Sequence, residues 1–263
     1  MKPKYKTIFV SDIHLGSVWS QADLFLNFLE HNKSERIYLI GDIIDEWALK
    51  KKYYWPSIND KVIENLMERK SEVFFIPGNH DEIYRNYFNK YLHGKTYRSF
   101  FVSDELKKKS IKIIEKDIYK SISGHKFLIV HGDQFDPFMK SDKKIIGHFG
   151  DVLYDSTLWI NHFNNILRKL FNMEYWSISA FAKEKVKNII KVIGNYEKSL
   201  SIECQTNKCD GVICGHIHHA KIVNNGIFYI NCGDWVESCT AIVENFDGTF
   251  EIIKWDKIIL KSS

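Results

Sequence analysis

The chain has 263 residues, 44% of them hydrophobic, and a formal charge of +4. This composition supports one large domain, or a domain with an insertion, around a substantial core, and it excludes a chain that is disordered overall. So small a charge excludes a dedicated nucleic-acid binder and predicts no stable nucleic-acid partner; it fits an anionic substrate or an anionic membrane surface. The opening MKPKYKTIFVSD reaches Asp12 before an apolar h-region forms, so no secretory signal is read there. No run of roughly 18 apolar residues predicts a spanning helix. The five cysteines are therefore read as reduced cytoplasmic thiols. Cys204 and Cys209 lack the paired spacing of a zinc ribbon.

In chain order, Thr7 to Val10 predicts a strand that ends in SDIHLG. Residues 21–31 carry Leu24, Phe25, Phe28 and Leu29 at helical spacing. RIYLI predicts a strand ending in GDIID, and 57–69 a helix. VFFIP, KFLIV and GVIC predict strands ending in GNHD, HGD and GHIHH. FYI, CTAIVE and TFEIIKW predict later strands, with NFDGT as a turn. The KKKSIK run reads as a solvated loop or strand edge. Residues 135–203 differ. Val152, Trp159, Phe163, Ile166 and Leu170 recur at helical spacing, and Ser177 to Tyr196 predicts another helix. This stretch reads as a helical insertion between two parts of a core, 1–134 and 204–263.

Five times, then, a short apolar strand runs into a Gly- or Ser-flanked cluster of Asp, His or Asn. Continuous apolar strands alternating with helices argue an α/β fold with strands buried on both faces. Sites in such sheets form at the carboxyl ends of strands, so the clusters have a reason to converge. In an extended segment, residues i and i+2 point to one side, which would let Asp12 and His14 reach one cation, and His216 and His218 likewise. Gly41 allows a sharp turn before Asp42. With Asn79 and His131, the set is too large for one tetrahedral zinc. It fits two cations that share a carboxylate. Imidazole, carboxylate and amide without thiolate suit manganese, with iron or zinc as alternatives.

The ordered blocks DIH (12–14), GDIID (41–45), GNHD (78–81), VHGD (130–133) and GHIH (215–218) resemble the signature of the calcineurin-like metallophosphoesterases. The resemblance implies a four-layer α/β/β/α sandwich and two divalent metal ions. It implies Asp12, His14, Asp42 and His218 as ligands of one, and Asp42, Asn79, His131 and His216 as ligands of the other. Two adjacent metals can clamp the attacking and leaving oxygens of a phosphoester. His80 would face the scissile phosphate and assist the leaving oxygen, Asp45 would orient His80, and Asp81 would be a support or turn residue.

SDIHLG, YLIGDIIDEW, VHGDQFD, CGHIHHA and CGDWVESCTAIVE further resemble the UDP-2,3-diacylglucosamine diphosphatase group. That likeness implies cleavage of a nucleotide-linked lipid pyrophosphate in lipid A biosynthesis, releasing UMP, at the cytoplasmic face of the inner membrane. It also implies that the insertion is a lid over acyl chains. His80 stands where that group has Arg, which points to a GNHD-bearing branch. Leu158, Trp159, Phe163, Leu167, Phe171 and Trp176 make the insertion apolar, as a lipid-facing lid or as an ordinary helical pair packed on the core, while Arg168, Lys169 and Lys183 could meet phosphate or headgroups. Trp19, Trp47 and Trp235 lie near the motif loops, as pocket linings or as core. Two other readings stand beside this one. The first is a metal-dependent phosphodiesterase or nucleotidase on soluble nucleotides, which a small, polar insertion would favour. The second is a non-catalytic, protein-binding scaffold, which lost ligands would favour; here each ligand position is filled.

Overall fold

The computed structural model describes residues 4–87, 111–136 and 180–255, with the side chains of 86–87 and 180–192 left outside that description. The chain divides into two compact units, 1–133 with 200–263, and 134–199. Of the second unit, the described part beyond residue 136 is helical from Ala180 onward.

The first unit is built on two sheets. One contains β1 (Tyr5–Val10), β2 (Ser34–Ile40), β3 (Glu72–Ile76), β4 (Lys112–Ile113), β10 (Thr240–Glu244) and β11 (Phe250–Lys254), in the order β11-β10-β1-β2-β3-β4. The strands from β1 to β4 pair in parallel, and β10 and β11 add antiparallel. The other contains β5 (Asp117–Lys120), β6 (Lys126–Ile129), β7 (Gly211–Cys214), β8 (Lys221–Asn224) and β9 (Phe228–Asn231), in the order β5-β6-β7-β9-β8. There β6, β7 and β9 run parallel, with an antiparallel strand at each edge.

The two-residue period of a strand sorts the core into two layers. Ile8, Val10, Ile37 and Leu39 face one way and join Phe25, Phe28 and Leu29 of α1 (Ala22–His31) and Val62 and Leu66 of α3 (Ser57–Glu68). Phe9, Tyr38 and Ile40 face the other way and join Tyr119, Phe127, Ile129, Ile213 and Ile230 of the second sheet. Phe9 stacks on Tyr38 at 5.3 Å and meets Tyr119 edge-on at 5.2 Å. Each such fully buried side chain contributes about 1.5–3 kcal/mol. Leu128 and Val212 point out of the sandwich and are equally buried. Beside that face, Lys116 bonds Glu203 (3.6 Å) and Asn207 (3.1 Å), and the end of α5 (Ala180–Thr206) carries buried Leu200 and Cys204. Helix, sheet, sheet and helix thus follow one another, the α/β sandwich that the resemblance implies.

Several elements depart from the sequence expectation. The helix predicted to end at Tyr196 runs on to Thr206. α2 (Glu46–Lys51) and α4 (Glu82–Tyr87) have only six residues each, and α2 buries no side chain completely, so neither carries an apolar stripe to read. β4, β5 and β8 are two to four residues long and half exposed, so their strand character comes from a neighbour rather than from their own pattern. All five cysteines are free and buried. Among the described residues no helix is long and apolar enough to cross a membrane.

Candidate metal centre

β1, β2, β3, β6 and β7 each run into a polar loop, and the five loops meet. Their backbone is bent in an unusual way. Seven described non-glycine residues have positive φ, and five of them are Asp12 (54°), His14 (53°), Asp42 (54°), His216 (72°) and His218 (51°). A left-handed residue of this kind costs about 1–2 kcal/mol, and such strain gathers at functional sites. The extended geometry expected for the two HxH-like pairs is therefore wrong. Asp12, His14, His216 and His218 each sit in a left-handed bend, and the bends separate His216 from His218. His218 gathers with Asp12 and His14, whereas His216 gathers with Asp42 and His131; within each trio, one donor atom per residue lies within 4.8 Å of the others.

Two glycines make the approach of the loops feasible. A Cβ on Gly41 would lie 2.1 Å from His131 Nδ1, and one on Gly78 would lie 2.1 Å from Asp42 Oδ1. The Gly that precedes Asp42 and the Gly that precedes Asn79 thus leave room for a ligand candidate from another loop.

The carboxylates are each anchored by one oxygen. Asp12 Oδ2 accepts the His216 N–H at 3.0 Å, and Asp42 Oδ1 accepts the His80 N–H at 2.9 Å. Their other oxygens face imidazoles: Asp12 Oδ1 lies 3.1 Å from His218 Nε2 and 4.0 Å from His14 Nε2. Asp42 Oδ2 lies 3.4 Å from His131 Nε2 and 4.0 Å from His14 Nε2, so it borders both trios. His131 Nδ1–H donates to the Ile40 carbonyl at 2.9 Å, which turns Nε2 inward.

The donor set fits divalent cations. His14 Nε2 and Asn79 Oδ1 are buried without a hydrogen bond, a condition that is costly unless an ion or solvent completes it. The local field is strongly negative. Burial works against a charged imidazole, yet Asp42 raises His131 to about 10 and Asp12 raises His218 to about 9. Burial likewise works against the Asp42 carboxylate, but His131 and His80 hold it well below the usual range. A cation would occupy the place of those imidazole protons.

A third trio adjoins the first two: His14, Asp45 and His80. Asp45 Oδ1 lies 3.0 Å from His80 Nδ1, and Asp45 Oδ2 lies 3.2 Å from His14 Nδ1. Oδ1 also accepts the Ala48 N–H at 2.8 Å and so caps α2. Capping and orientation are thus one arrangement. Burial would raise this carboxyl, but bonds to His14 and His80 outweigh it and hold Asp45 below its ordinary value. The Trp47 ring lies 4.1 Å from the His80 ring, and His14 meets His80 edge-on at 4.7 Å.

Some supports carry no motif of their own. Arg85 grips Asp133 with two bonds of 2.8 and 2.9 Å and donates to the Pro77 carbonyl at 2.6 Å, bracing the Asn79 loop against the His131 loop. The Asp of HGD was the available signal. Asp81 is fully buried, accepts the Ile43 N–H at 3.0 Å, and is pushed well up by burial and by Asp42. A sixth turn, CGDW, joins the same edge: Trp235 N–H donates to Asp12 O at 2.9 Å, and Asp234 gathers the Val236 and Glu237 N–H groups. Trp235 itself is no pocket residue; it is fully buried, 4.9 Å from Phe25 and 5.2 Å from Phe28. Trp19 is half-buried. Arg168 and Lys169 lie outside the described residues, as does the side chain of Lys183.

A model of the calcineurin-like phosphoesterases matches residues 5–220. The chain belongs to this family. As a member it is a metal-dependent phosphoester hydrolase. Solved structures of similar shape include an archaeal phosphodiesterase (13% identity, 94% of this chain and 98% of that one, TM-score 0.45). A dimetal phosphatase from Danio rerio follows (12%, 97% and 100%, 0.44), as does a single mutant of Vps29 from Entamoeba histolytica (12%, 94% and 96%, 0.41). The curated proteins hold no significant match.

Proposed function

We propose that the chain is a two-metal hydrolase that cleaves the pyrophosphate of a nucleotide-linked lipid, UDP-2,3-diacylglucosamine or a near relative, to UMP and a lipid phosphate. One observation carries the two-metal reading: two trios of ligand atoms border one carboxylate, Asp42, and two of the buried polar atoms around it have no hydrogen bond. In this reading Asp12, His14, Asp42 and His218 hold one ion, and Asp42, Asn79, His131 and His216 hold the other, with manganese as the expected metal. Bound there, the ions would supply positive charge that draws the phosphate in and offsets charge developing on its oxygens.

The chain's own work centres on His80. Nδ1 turns to Asp45 at 3.0 Å, and in this reading Nε2 meets the substrate. A proton held there passes to the oxygen that leaves phosphorus, while Asp45 stabilises the cationic ring. The Trp47 ring packs 4.1 Å from the His80 ring and would offer a flat surface beside the scissile group. The insertion, with Arg168, Lys169 and Lys183, would supply contacts to acyl chain and headgroup, at the cytoplasmic face of the membrane.

The nucleotide-linked lipid rests on the resemblance of the motif stretches, and its test is direct. With manganese added, the intact chain should release UMP from UDP-2,3-diacylglucosamine in detergent. Rapid turnover of bis-p-nitrophenyl phosphate or cyclic nucleotides, without UMP release, would discard the lipid and keep the hydrolase.

A further inference from the structure

The metal-site loops absorb every polar motif at the strand ends. They leave a surface feature unused at the end of the short helix that Asp45 caps. There the sequence runs Lys50, Lys51, Lys52, Tyr53, Tyr54. The three lysines are exposed, Tyr53 is 77% exposed and Tyr54 41%. The loop after β1 lies against the same helix, because Leu49 fills the space in front of Gly16, and that loop carries Val18 at 62% exposure.

A purely local account covers part of this. Lys50 and Lys51 sit in the last turn of α2, where cations suit the helix dipole, and Lys50 pairs with Glu46 at 3.1 Å. It does not account for Lys52, for Tyr53 standing in solvent, or for Val18 exposed on the loop that touches the helix. Lysines flanking exposed tyrosine and an aliphatic side chain form the arrangement that lies in the headgroup region of a bilayer.

We infer that Val18, Lys51, Lys52, Tyr53 and Tyr54 form a docking surface for an anionic lipid bilayer. The choice of lipid over single-stranded nucleic acid rests on charge: a net charge of +4 provides no long basic track. α2 is about 9 Å long. Docking at its far end brings the Asp45–His80 pair to within about that distance of the headgroups. The choice of partner draws on the lipid substrate proposed above, but binding itself needs no turnover.

The test is co-sedimentation of the full, metal-loaded chain with phosphatidylcholine vesicles, with and without phosphatidylglycerol. Binding should require the anionic lipid and weaken as salt rises. Each surface lysine is worth about fivefold in affinity, so K51A/K52A should bind about twenty-five-fold more weakly. V18S/Y53S should also lose binding, and both variants should keep full metal content and full hydrolysis of bis-p-nitrophenyl phosphate. The inference is overturned if the parent chain ignores anionic vesicles or if both variants bind them as the parent does. It is overturned equally if the same residues instead govern retention of a single-stranded oligonucleotide. UMP release in detergent is read without any vesicle, so failure here leaves the substrate proposal standing, and the reverse.

Discussion

Two buried polar clusters lie in the same sandwich and are built on opposite principles. At the carboxyl ends of the strands, the cluster around Asp42 has left-handed backbone and side-chain atoms without hydrogen bonds. Inside the sandwich, Tyr119 of β5 bonds Thr7 of β1 at 2.6 Å and also Glu244 of β10, whose other oxygen accepts the Ile122 N–H at 2.8 Å. Thr7 and Glu244 are fully buried, and none of the three residues has a buried side-chain atom without a partner. Burial, with Glu244 as acceptor, pushes the Tyr119 hydroxyl well above its usual range, so it stays a donor at every ordinary pH. Satisfied polar groups fix how the two sheets meet. Unsatisfied ones are a standing cost that only a ligand removes.

Breaking the first cluster should abolish chemistry while sparing the fold. Asp42→Asn keeps the shape but removes the charge that borders both trios, and phosphodiester hydrolysis should fall by about 10³-fold or more, with thermal unfolding little changed or slightly raised. Cation affinity should depend steeply on pH. His131 and His218 keep their protons up to about 10 and 9, above an unfolded value near 6.5. In the metal-free chain this contribution to stability is complete below about pH 6.5 and is lost as pH rises through 9 and 10. A cation must displace both protons, so titration calorimetry should show affinity rising with pH by up to about a hundredfold per unit between 7 and 9.

His80→Ala should slow hydrolysis about a hundredfold with metal content unchanged. The loss should shrink for p-nitrophenyl esters, whose leaving group needs no proton. Asp45→Asn should cost about ten- to a hundredfold and, because Asp45 also holds His14, should weaken metal binding where His80→Ala does not. Metal content measured on the two variants separates them. Tyr119→Phe sharpens the contrast from the other side: about 1–2 kcal/mol of stability lost in urea, with kcat and KM unchanged.

The metal-site cluster was more legible in the sequence than the structural one, for a physical reason. Asp, His and Asn directly after apolar strands are hard to explain as turns, so Asp12, Asp42, Asn79 and His131 announce themselves. Tyr119, Thr7 and Glu244 sit inside strands as ordinary residues, and only their pairing across two sheets gives them meaning. The same holds near the site. Asp45 could be read as orienting His80, but its second bond, to His14 Nδ1, depends on how two loops cross. Arg85 looks like any surface arginine until Asp133 arrives from another sheet. Even DIH was readable for the wrong geometry, since its residues reach the site through left-handed bends rather than along an extended strand.

The most direct test is elemental analysis of the intact chain after dialysis against manganese and then against metal-free buffer. Two ions per chain, falling to one in His218→Ala and in His216→Ala and to none in Asp42→Asn, is the result expected from two trios around one carboxylate. One ion or none in the parent chain, or two retained without the Asp42 charge, would contradict it.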